Sequence, residues 1–235
     1  FHNVMEVSLH LKDFDSFNKA LMRLKKFEVK SLQIEAHIFA TNSIFELIYY
    51  NTTGKPEKGL ECLALINDGI EKYNELINKE EYLQLWLEMA KTYLQLGKYH
   101  KALPFINNIL NDRDVELRED IRCIAILVNL IIHYEIGNFD LLEYAIKSTQ
   151  RYLSKRKSLY NIESAVINFI RMKISDNSSG EQFRKGLKEI RNNVKTLLKD
   201  PREKNISLYF DFVSWIDCKI QNKPFNEIIL LRANH

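Results

Sequence analysis

Six histidines and three cysteines are among the residues of this chain that could hold a metal ion or act as nucleophiles. The histidines, at positions 2, 10, 37, 100, 133 and 235, form no H-E-x-x-H, and none lies three or four residues from a cysteine or another histidine. The cysteines, at 62, 123 and 218, show no C-x-x-C spacing, and each falls in an apolar helical pattern, where a thiol acts as a small hydrophobe. The sequence therefore predicts no metal site and a reducing, cytoplasmic environment.

The carboxylates and hydroxyls also lack the patterns that catalysis needs. The chain contains no glycine-rich phosphate loop, no G-x-S-x-G and no nucleophile with an adjacent base. The acidic pairs Glu80–Glu81 and Glu119–Asp120 stand at expected helix starts, where negative charge interacts favourably with the helix dipole. His133 is expected in the core with a hydrogen-bond partner. We therefore expect a protein without catalytic residues or a cofactor.

The composition predicts helices as the elements that position these side chains. Seven glycines and four prolines are too few for the frequent turns of a sandwich or barrel. The chain is instead rich in Leu, Ile, Lys and Glu, which favour long helices joined by short turns. No run approaches the roughly 18 to 20 apolar residues of a membrane span.

The segment from Trp86 to Ala102 shows how the helices are arranged. Trp86, Met89, Ala90 and Tyr93 lie on one helix face. A following glycine at 97 can end that helix in a left-handed conformation, and a second apolar face begins just after it. The order of large, small and aromatic residues across two helices resembles the tetratricopeptide repeat (TPR) motif.

Weaker versions of this turn pattern recur along the chain. Aligning the motif places corresponding turn residues at 15, 54, 97 and 137, which are 39, 43 and 40 residues apart. A standard TPR repeats at about 34 residues, so the surplus lengthens helices or loops. The resemblance implies an all-α solenoid of antiparallel helix pairs, a TPR-like superhelix formed by one domain over residues 1–235.

The pattern predicts eleven helices and a short tail helix from about residue 224. The expected ranges are about 1–12, 14–28, 30–51, 56–76, 79–96, 99–111, 114–136, 138–154, 157–175, 180–199 and 203–222. Asp112 or Asp114 is expected to cap the seventh of these helices.

Two further segments, 129–144 and 154–160, resemble a family of uncharacterised TPR-like proteins from Bacteroidetes. The resemblance covers most of the chain and implies a cytoplasmic helical-repeat protein, of which these residues are a part. It implies no particular activity.

Charge is distributed unevenly. Residues 147–204 hold 15 Lys and Arg against 6 Asp and Glu, whereas residues 1–146 hold 16 against 22. We predict a basic surface that could dock an acidic protein segment, or remain a solvated outer face. Its candidate residues are Lys147, Arg151, Lys155, Arg156, Arg184, Lys188, Arg191, Lys195 and Lys199. Nucleic acid is disfavoured because aromatic residues for base stacking are missing from this pattern.

TPR modules commonly bind peptides along a groove lined by the first helices of successive pairs, and the resemblance carries this expectation to the present chain. The groove candidates are Ile44, Ile48, Asn51, Thr52, Gln84, Leu87, Lys91, Gln95, Leu127, Ile131, Tyr134 and Glu135. Ile44 and Ile48 stand where chaperone-tail-binding TPRs carry Lys and Asn, which argues against that ligand. The alternative is that some of these residues only fill the packing between long helices.

The leading hypothesis is a non-catalytic, cytoplasmic scaffold that binds another protein or peptide. One alternative is a regulatory or sensor module of a larger signalling or transcription-regulating protein. Another is a weak nucleic-acid binder that uses the basic region 147–204.

Overall fold

The computed structural model describes residues 1–114, 117–154, 161–174 and 180–233. These parts form thirteen α-helices and one 3-10 turn, and they contain no β-strand, which confirms the all-α prediction. The helices are α1 (His2–His10), α2 (Phe14–Lys25), α3 (Leu32–Thr52), α4 (Pro56–Tyr73), α5 (Lys79–Gln95), α6 (Tyr99–Leu110), α7 (Glu119–Glu135), α8 (Phe139–Ser154), α9 (Asn161–Ile174), α10 (Gly180–Leu197), α11 (Pro201–Lys204), α12 (Phe212–Gln221) and α13 (Phe225–Ala233), with the 3-10 turn at Asn205–Leu208. None of the helices in these ranges combines the length and the apolar character that a membrane-spanning segment needs.

Five helix–helix turns are closed by the same backbone hydrogen bond. In each, a residue with positive φ ends one helix, and the next amide donates to the carbonyl five residues back, as in a Schellman motif. The left-handed residues are Lys12, Gly54, Gly97, Gly137 and Asn222. The turns join α1 to α2, α3 to α4, α5 to α6, α7 to α8, and α12 to α13, so five helical hairpins share one construction.

The first turn lies at Lys12 (φ 56°), and the expectation that Asp15 occupies the turn position is wrong. The left-handed residues at 12, 54, 97 and 137 are 42, 43 and 40 apart. Asp13 instead caps α2, because its carboxylate accepts a hydrogen bond from the Ser16 amide at 3.0 Å. The sequence does not reveal the turn of the first hairpin at Lys12, because a lysine gives no signal for a left-handed conformation.

Two other helix boundaries differ from the prediction. The expected helix 203–222 is broken before Phe212, because the Asp211 carboxylate accepts hydrogen bonds from the amide and hydroxyl of Ser214 and starts α12 there. The α7 helix begins at Glu119 rather than near 114. Asp112 accepts from the Asp114 amide at 2.8 Å inside the preceding loop, so neither aspartate caps α7.

The helices pack in two ways. The members of each hairpin contact one another, and the first helices of successive hairpins, α3, α5 and α7, lie side by side, with α9 packed on α7. One buried apolar cluster runs from α5 to α13, and three smaller clusters lie among α1 to α5. The last two helices return to the row: α12 lies on α10 and contacts α7, and α13 packs against α3.

Candidate functional site

A cleft of about 490 Å³ opens between α1, α3, α5 and the segment that precedes α12. We call it the α3–α5 cleft. It is lined by His2, Glu6, Leu9, His10, His37, Thr41, Ile44, Phe45, Ile48, Thr52, Asn78, Glu80, Glu81, Gln84, Glu88, Arg118, Ser207 and Tyr209. Three helices, the residue before α7 and the turn that precedes α12 therefore supply a preformed concave surface.

The floor of the cleft is apolar. Ile44 and Phe45 are buried, and Ile48, one turn further along α3, is half-buried. Leu9 of α1 adds a fourth apolar side chain, because α1 packs on the same helix. The spacing of residues 44, 45 and 48 places them on one face of α3, so the sequence of that helix sets the floor directly.

Carboxylates stand around this floor. Glu6 of α1 and Glu80 of α5 are exposed at the rim. Glu81 completes a capping box with Asn78 at the start of α5 and also contacts the imidazole of His37. The expectation that Glu80 and Glu81 stand at a helix start is confirmed. The two residues also line the cleft, which their spacing in the sequence does not predict.

A buried polar network joins α3 to α5 beneath one side of the cleft. Glu88 is 1% exposed, and its carboxylate accepts from Lys91 Nζ at 2.7 Å and from Asn51 Nδ2 at 3.1 Å. The side-chain oxygen of Asn51 accepts a hydrogen bond from the Thr92 hydroxyl at 3.0 Å, and its backbone carbonyl accepts one from Gln95 Nε2 at 2.9 Å. The network pairs a buried charge with a cation and several hydrogen bonds, which is the condition for burying it at tolerable cost.

Arg118 and Tyr209 line another side of the cleft, and both bind Asp120, so the three side chains form a trio. Arg118 Nη2 lies 2.8 Å from Asp120 Oδ2, and the Tyr209 hydroxyl donates to the same oxygen at 2.5 Å. Burial acts to raise the pKa of Asp120, but the hydrogen bonds from Arg118 and Tyr209 outweigh it and lower that pKa. Burial and the bond to Asp120 raise the pKa of Tyr209 to about 12. The trio therefore stays ionised as an Arg–Asp pair, with a neutral phenol, around neutral pH.

A second, smaller cavity of about 240 Å³ lies beside the first, between the ends of α3 and α5 and the C-terminal segment. Asn51, Thr52, Lys91 and Gln95 form one wall. Phe210, Asp211 and residues of α13 form the other, and the ion pair of Arg232 with Asp211 at 2.9 Å closes one side. Thr52 lines both cavities and is exposed.

The structure brings seven of the predicted groove residues to these two cavities: Ile44, Ile48, Asn51, Thr52, Gln84, Lys91 and Gln95. The others lie elsewhere. Leu87, Leu127 and Ile131 are fully buried in the core. Tyr134 and Glu135 are covered by α12, where the Trp215 indole packs edge-on to Tyr134 and donates to Glu135 at 2.7 Å.

The predicted basic surface is present only in part. Lys147, Arg151, Arg184, Lys188, Lys195 and Lys199 are exposed. Arg191 is half-buried and forms an ion pair with Asp217 of α12 at 2.7 Å, so it holds two helices together. Lys155 and Arg156 lie outside the described residues.

The remaining candidates for chemistry are placed as structural residues. His133 is buried, and its Nδ1 lies 3.3 Å from the Asn138 side-chain amide, which confirms its expected core position. Burial raises the pKa of the Cys62 and Cys218 thiols to about 11 each, so both are protonated near neutral pH. No cluster of three or more His, Cys, Asp or Glu suited to a metal ion occurs in the described ranges.

Sequence reasoning missed Glu6, Arg118 and Tyr209 as members of the cleft. Glu6 sits on a helix that precedes the motif, and Tyr209 reaches α7 from 89 residues away along the chain. Neither position carries a pattern that links it to α3 or α5.

Comparisons with protein-family models, with curated proteins and with solved structures found no match.

Proposed function

We propose that this chain is a non-catalytic, TPR-like protein-binding module that holds a peptide segment of a partner in the α3–α5 cleft. The observation that carries the proposal is the cleft itself, which combines an apolar floor with fixed polar groups on a preformed scaffold. Such a combination is typical of ligand sites, in which apolar area contributes affinity and polar groups set orientation.

The recurrence of one hairpin turn supports the TPR-like part of the proposal. Helix pairs stacked through their first helices form a row, as α3, α5 and α7 do here. The signature segment Trp86–Ala102 lies in the middle of this row, and its Tyr93 stacks on Phe105 across the α5–α6 hairpin with ring centroids 5.9 Å apart. Each hairpin buries little alone and is stabilised by its neighbours.

The size and openness of the cleft favour a peptide over a globular surface. A concave site of about 490 Å³ accommodates a few side chains of an extended or helical segment. The buried network around Glu88 keeps α3 and α5 in fixed relation, so the cleft requires little reorganisation on binding. Preorganisation of this kind raises affinity by lowering the entropy that binding removes.

The proposal can be tested with a phage-displayed library of random dodecapeptides. The library is selected on the wild-type chain and counter-selected on Thr52→Trp, in which a large side chain fills the cleft from an exposed position. Thr196→Trp, at an exposed site on α10, is the matched control. Recovered peptides should bind the wild type and Thr196→Trp equally, and Thr52→Trp at least tenfold more weakly, by fluorescence anisotropy. Failure to recover any cleft-dependent peptide would overturn the proposal.

A second candidate is the docking of an acidic segment on the basic surface. It is supported by the exposed ammonium and guanidinium groups of Arg184, Lys188 and Lys195 along α10. Charge reversal at Lys188 should then remove binding of an acidic peptide at low salt, while Thr52→Trp leaves it unchanged.

A further inference from the structure

We propose that the α3–α5 cleft selects a cationic, amphipathic segment: a peptide with one or two Lys or Arg residues beside a large apolar side chain. This inference rests on the proposed function and names the chemistry of its ligand. It differs from the acidic partner expected for the basic surface.

The first support is the charge of the lining. Four glutamates, Glu6, Glu80, Glu81 and Glu88, face one arginine, Arg118. That arginine is paired with Asp120 at 2.8 Å, and Glu88 is paired with Lys91 at 2.7 Å. After these two pairs are set aside, three carboxylates remain at the mouth of the cleft.

Two of these three carboxylates, Glu6 and Glu80, leave negative charge available to a ligand. Glu81 is 11% exposed, and its two oxygens contact His37 and the Asn78 amide. Glu6 lies 3.9 Å from His2, a long contact between exposed side chains. Glu80 is exposed, and no described side chain forms an ion pair with it. Because Glu6 and Glu80 are exposed, the mouth presents an acidic rim to an incoming ligand.

The second support is the position of the rim around the apolar floor. Ile44, Phe45 and Ile48 lie between α1, which carries Glu6, and α5, which carries Glu80. A ligand that buries an apolar side chain on this floor therefore brings its neighbouring residues to the carboxylates. An acidic neighbour would be repelled there, whereas a lysine or arginine would form charge-assisted hydrogen bonds.

The third support is the net negative charge of residues 1–146, the part of the chain that supplies most of the cleft. Residues 1–146 hold 16 Lys and Arg against 22 Asp and Glu, so the surroundings of the cleft have the same sign as its rim. A field of this kind attracts a cationic segment during encounter and weakens as salt is added.

The test uses the peptides recovered from the dodecapeptide library. We expect their sequences to be enriched in Lys and Arg relative to the unselected library. Each recovered peptide is then compared with versions in which every Lys and Arg is replaced by Gln or by Glu. Affinity should fall roughly fivefold for Gln and become undetectable for Glu, and it should fall about tenfold between 50 and 500 mM NaCl.

Substitutions in the protein provide the reciprocal test. Glu6→Gln with Glu80→Gln removes two exposed rim charges without altering the floor, and affinity for cationic peptides should fall roughly fivefold. Glu61→Gln with Glu71→Gln, two exposed positions on α4 outside the lining, is the matched control and should leave affinity unchanged.

The outcomes separate this inference from the function on which it rests. Cleft-dependent peptides without excess positive charge, or without sensitivity to the rim variants, would overturn the cationic ligand and leave the peptide-binding function standing. Cationic peptides that bind Thr52→Trp as well as the wild type would show attraction to the surface alone and overturn the site. Low-salt self-association, measured by sedimentation and abolished by the rim variants, would make a second copy the occupant and overturn the assignment of a separate partner.

Discussion

The α-carbon of Gly54 lies directly against the backbone of Leu230. A Cβ built on Gly54 would stand 2.5 Å from the Leu230 amide nitrogen and 2.7 Å from the Asn226 carbonyl oxygen. Helix α13 thus packs on the turn between α3 and α4, and the Asn226 side chain donates a hydrogen bond to Glu57 at 3.2 Å. This contact brings the last described helix to the second hairpin, and Phe225 and Ile229 of that helix line the smaller cavity.

Gly54→Ala is expected to destabilise the protein more than Gly97→Ala. Both glycines have φ of +67°, so alanine costs about 1 kcal/mol at either turn for the left-handed conformation. Only Gly54 has backbone atoms within 3 Å of the added methyl group, whereas the nearest neighbour at Gly97 is the Tyr99 hydroxyl at 4.0 Å. Urea unfolding should show a further loss of about 1–3 kcal/mol for Gly54→Ala.

Hydrogen exchange identifies where that further loss arises. In Gly54→Ala the amides of α13 should exchange faster, because the helix must move away from the turn. In Gly97→Ala they should keep wild-type protection. Equal stability of the two variants would mean that α13 does not rest on Gly54 in solution.

Glu135 connects α7 to α12 through two donors. Its carboxylate accepts from the Trp215 indole at 2.7 Å and from Lys219 Nζ at 2.6 Å, and its side chain is 8% exposed. Glu135→Ala should cost about 2–3 kcal/mol, since it leaves a buried indole N–H and an ammonium group without an acceptor. Glu143→Ala, at an exposed position on α8, should cost less than about 0.5 kcal/mol.

Tryptophan fluorescence measures the same substitution at the site of contact. In a Trp86→Phe background, emission comes from Trp215 alone, which is 1% exposed. Glu135→Ala should shift that emission to longer wavelength if α12 loosens from α7. Unchanged emission together with unchanged stability would contradict the role given to Glu135.

The hairpins were predictable from sequence to the extent that glycine marked their turns. The sequence predicts the turns at Gly54, Gly97 and Gly137, because a left-handed residue is usually glycine. Lys12 and Asn222 adopt the same conformation, but a lysine gives no such signal and an asparagine only a weak one. The cap at Asp211 does not follow from the sequence, because the apolar spacing continues through that position.

The cleft was predictable only in its α3 and α5 parts. Residues such as Ile44, Ile48 and Gln84 follow from helical periodicity within a hairpin motif. The acidic rim and the cover over Tyr134 depend on where α1 and α12 pack, and such contacts between distant segments leave no local spacing pattern. The same is true of Arg191, which the sequence predicts on the basic surface but which pairs with Asp217 of α12.

The buried pair of Glu88 and Lys91 is expected to be strongly coupled. Lys91→Met leaves Glu88, 1% exposed, without its cation and should cost about 3 kcal/mol. Glu88→Gln should cost less, because the Lys91 side chain retains some access to water. The double substitution should be less destabilising than the two single effects added together, with a coupling of about 1–2 kcal/mol.

The exposed pair of Lys223 and Glu227 provides the comparison. These side chains are separated by 2.7 Å and are 42% and 43% exposed. Their double-substitution cycle should give a coupling below about 0.5 kcal/mol. A coupling of similar size in both cycles would indicate that Glu88 and Lys91 are hydrated in solution.

His133 should make stability depend on pH below neutrality. Burial lowers its pKa from the ordinary 6.5, so the folded state favours the neutral ring. The unfolded chain binds the proton more readily between 6.5 and the lower, folded pKa, so the free energy of unfolding falls as the pH drops through that window. The contribution of the neutral ring is present above pH 6.5 and is lost as the pH falls through the lower pKa of the folded state.

Urea unfolding between pH 8 and pH 5 measures this dependence. His133→Gln should flatten the slope below pH 6.5, whatever its effect on stability at pH 8, because glutamine does not titrate. His100→Gln, the same substitution at an exposed position on α6, should retain the wild-type slope. If His133→Gln kept the full slope, another group would have to take up the proton, and the neutral, buried imidazole described for α7 would be wrong.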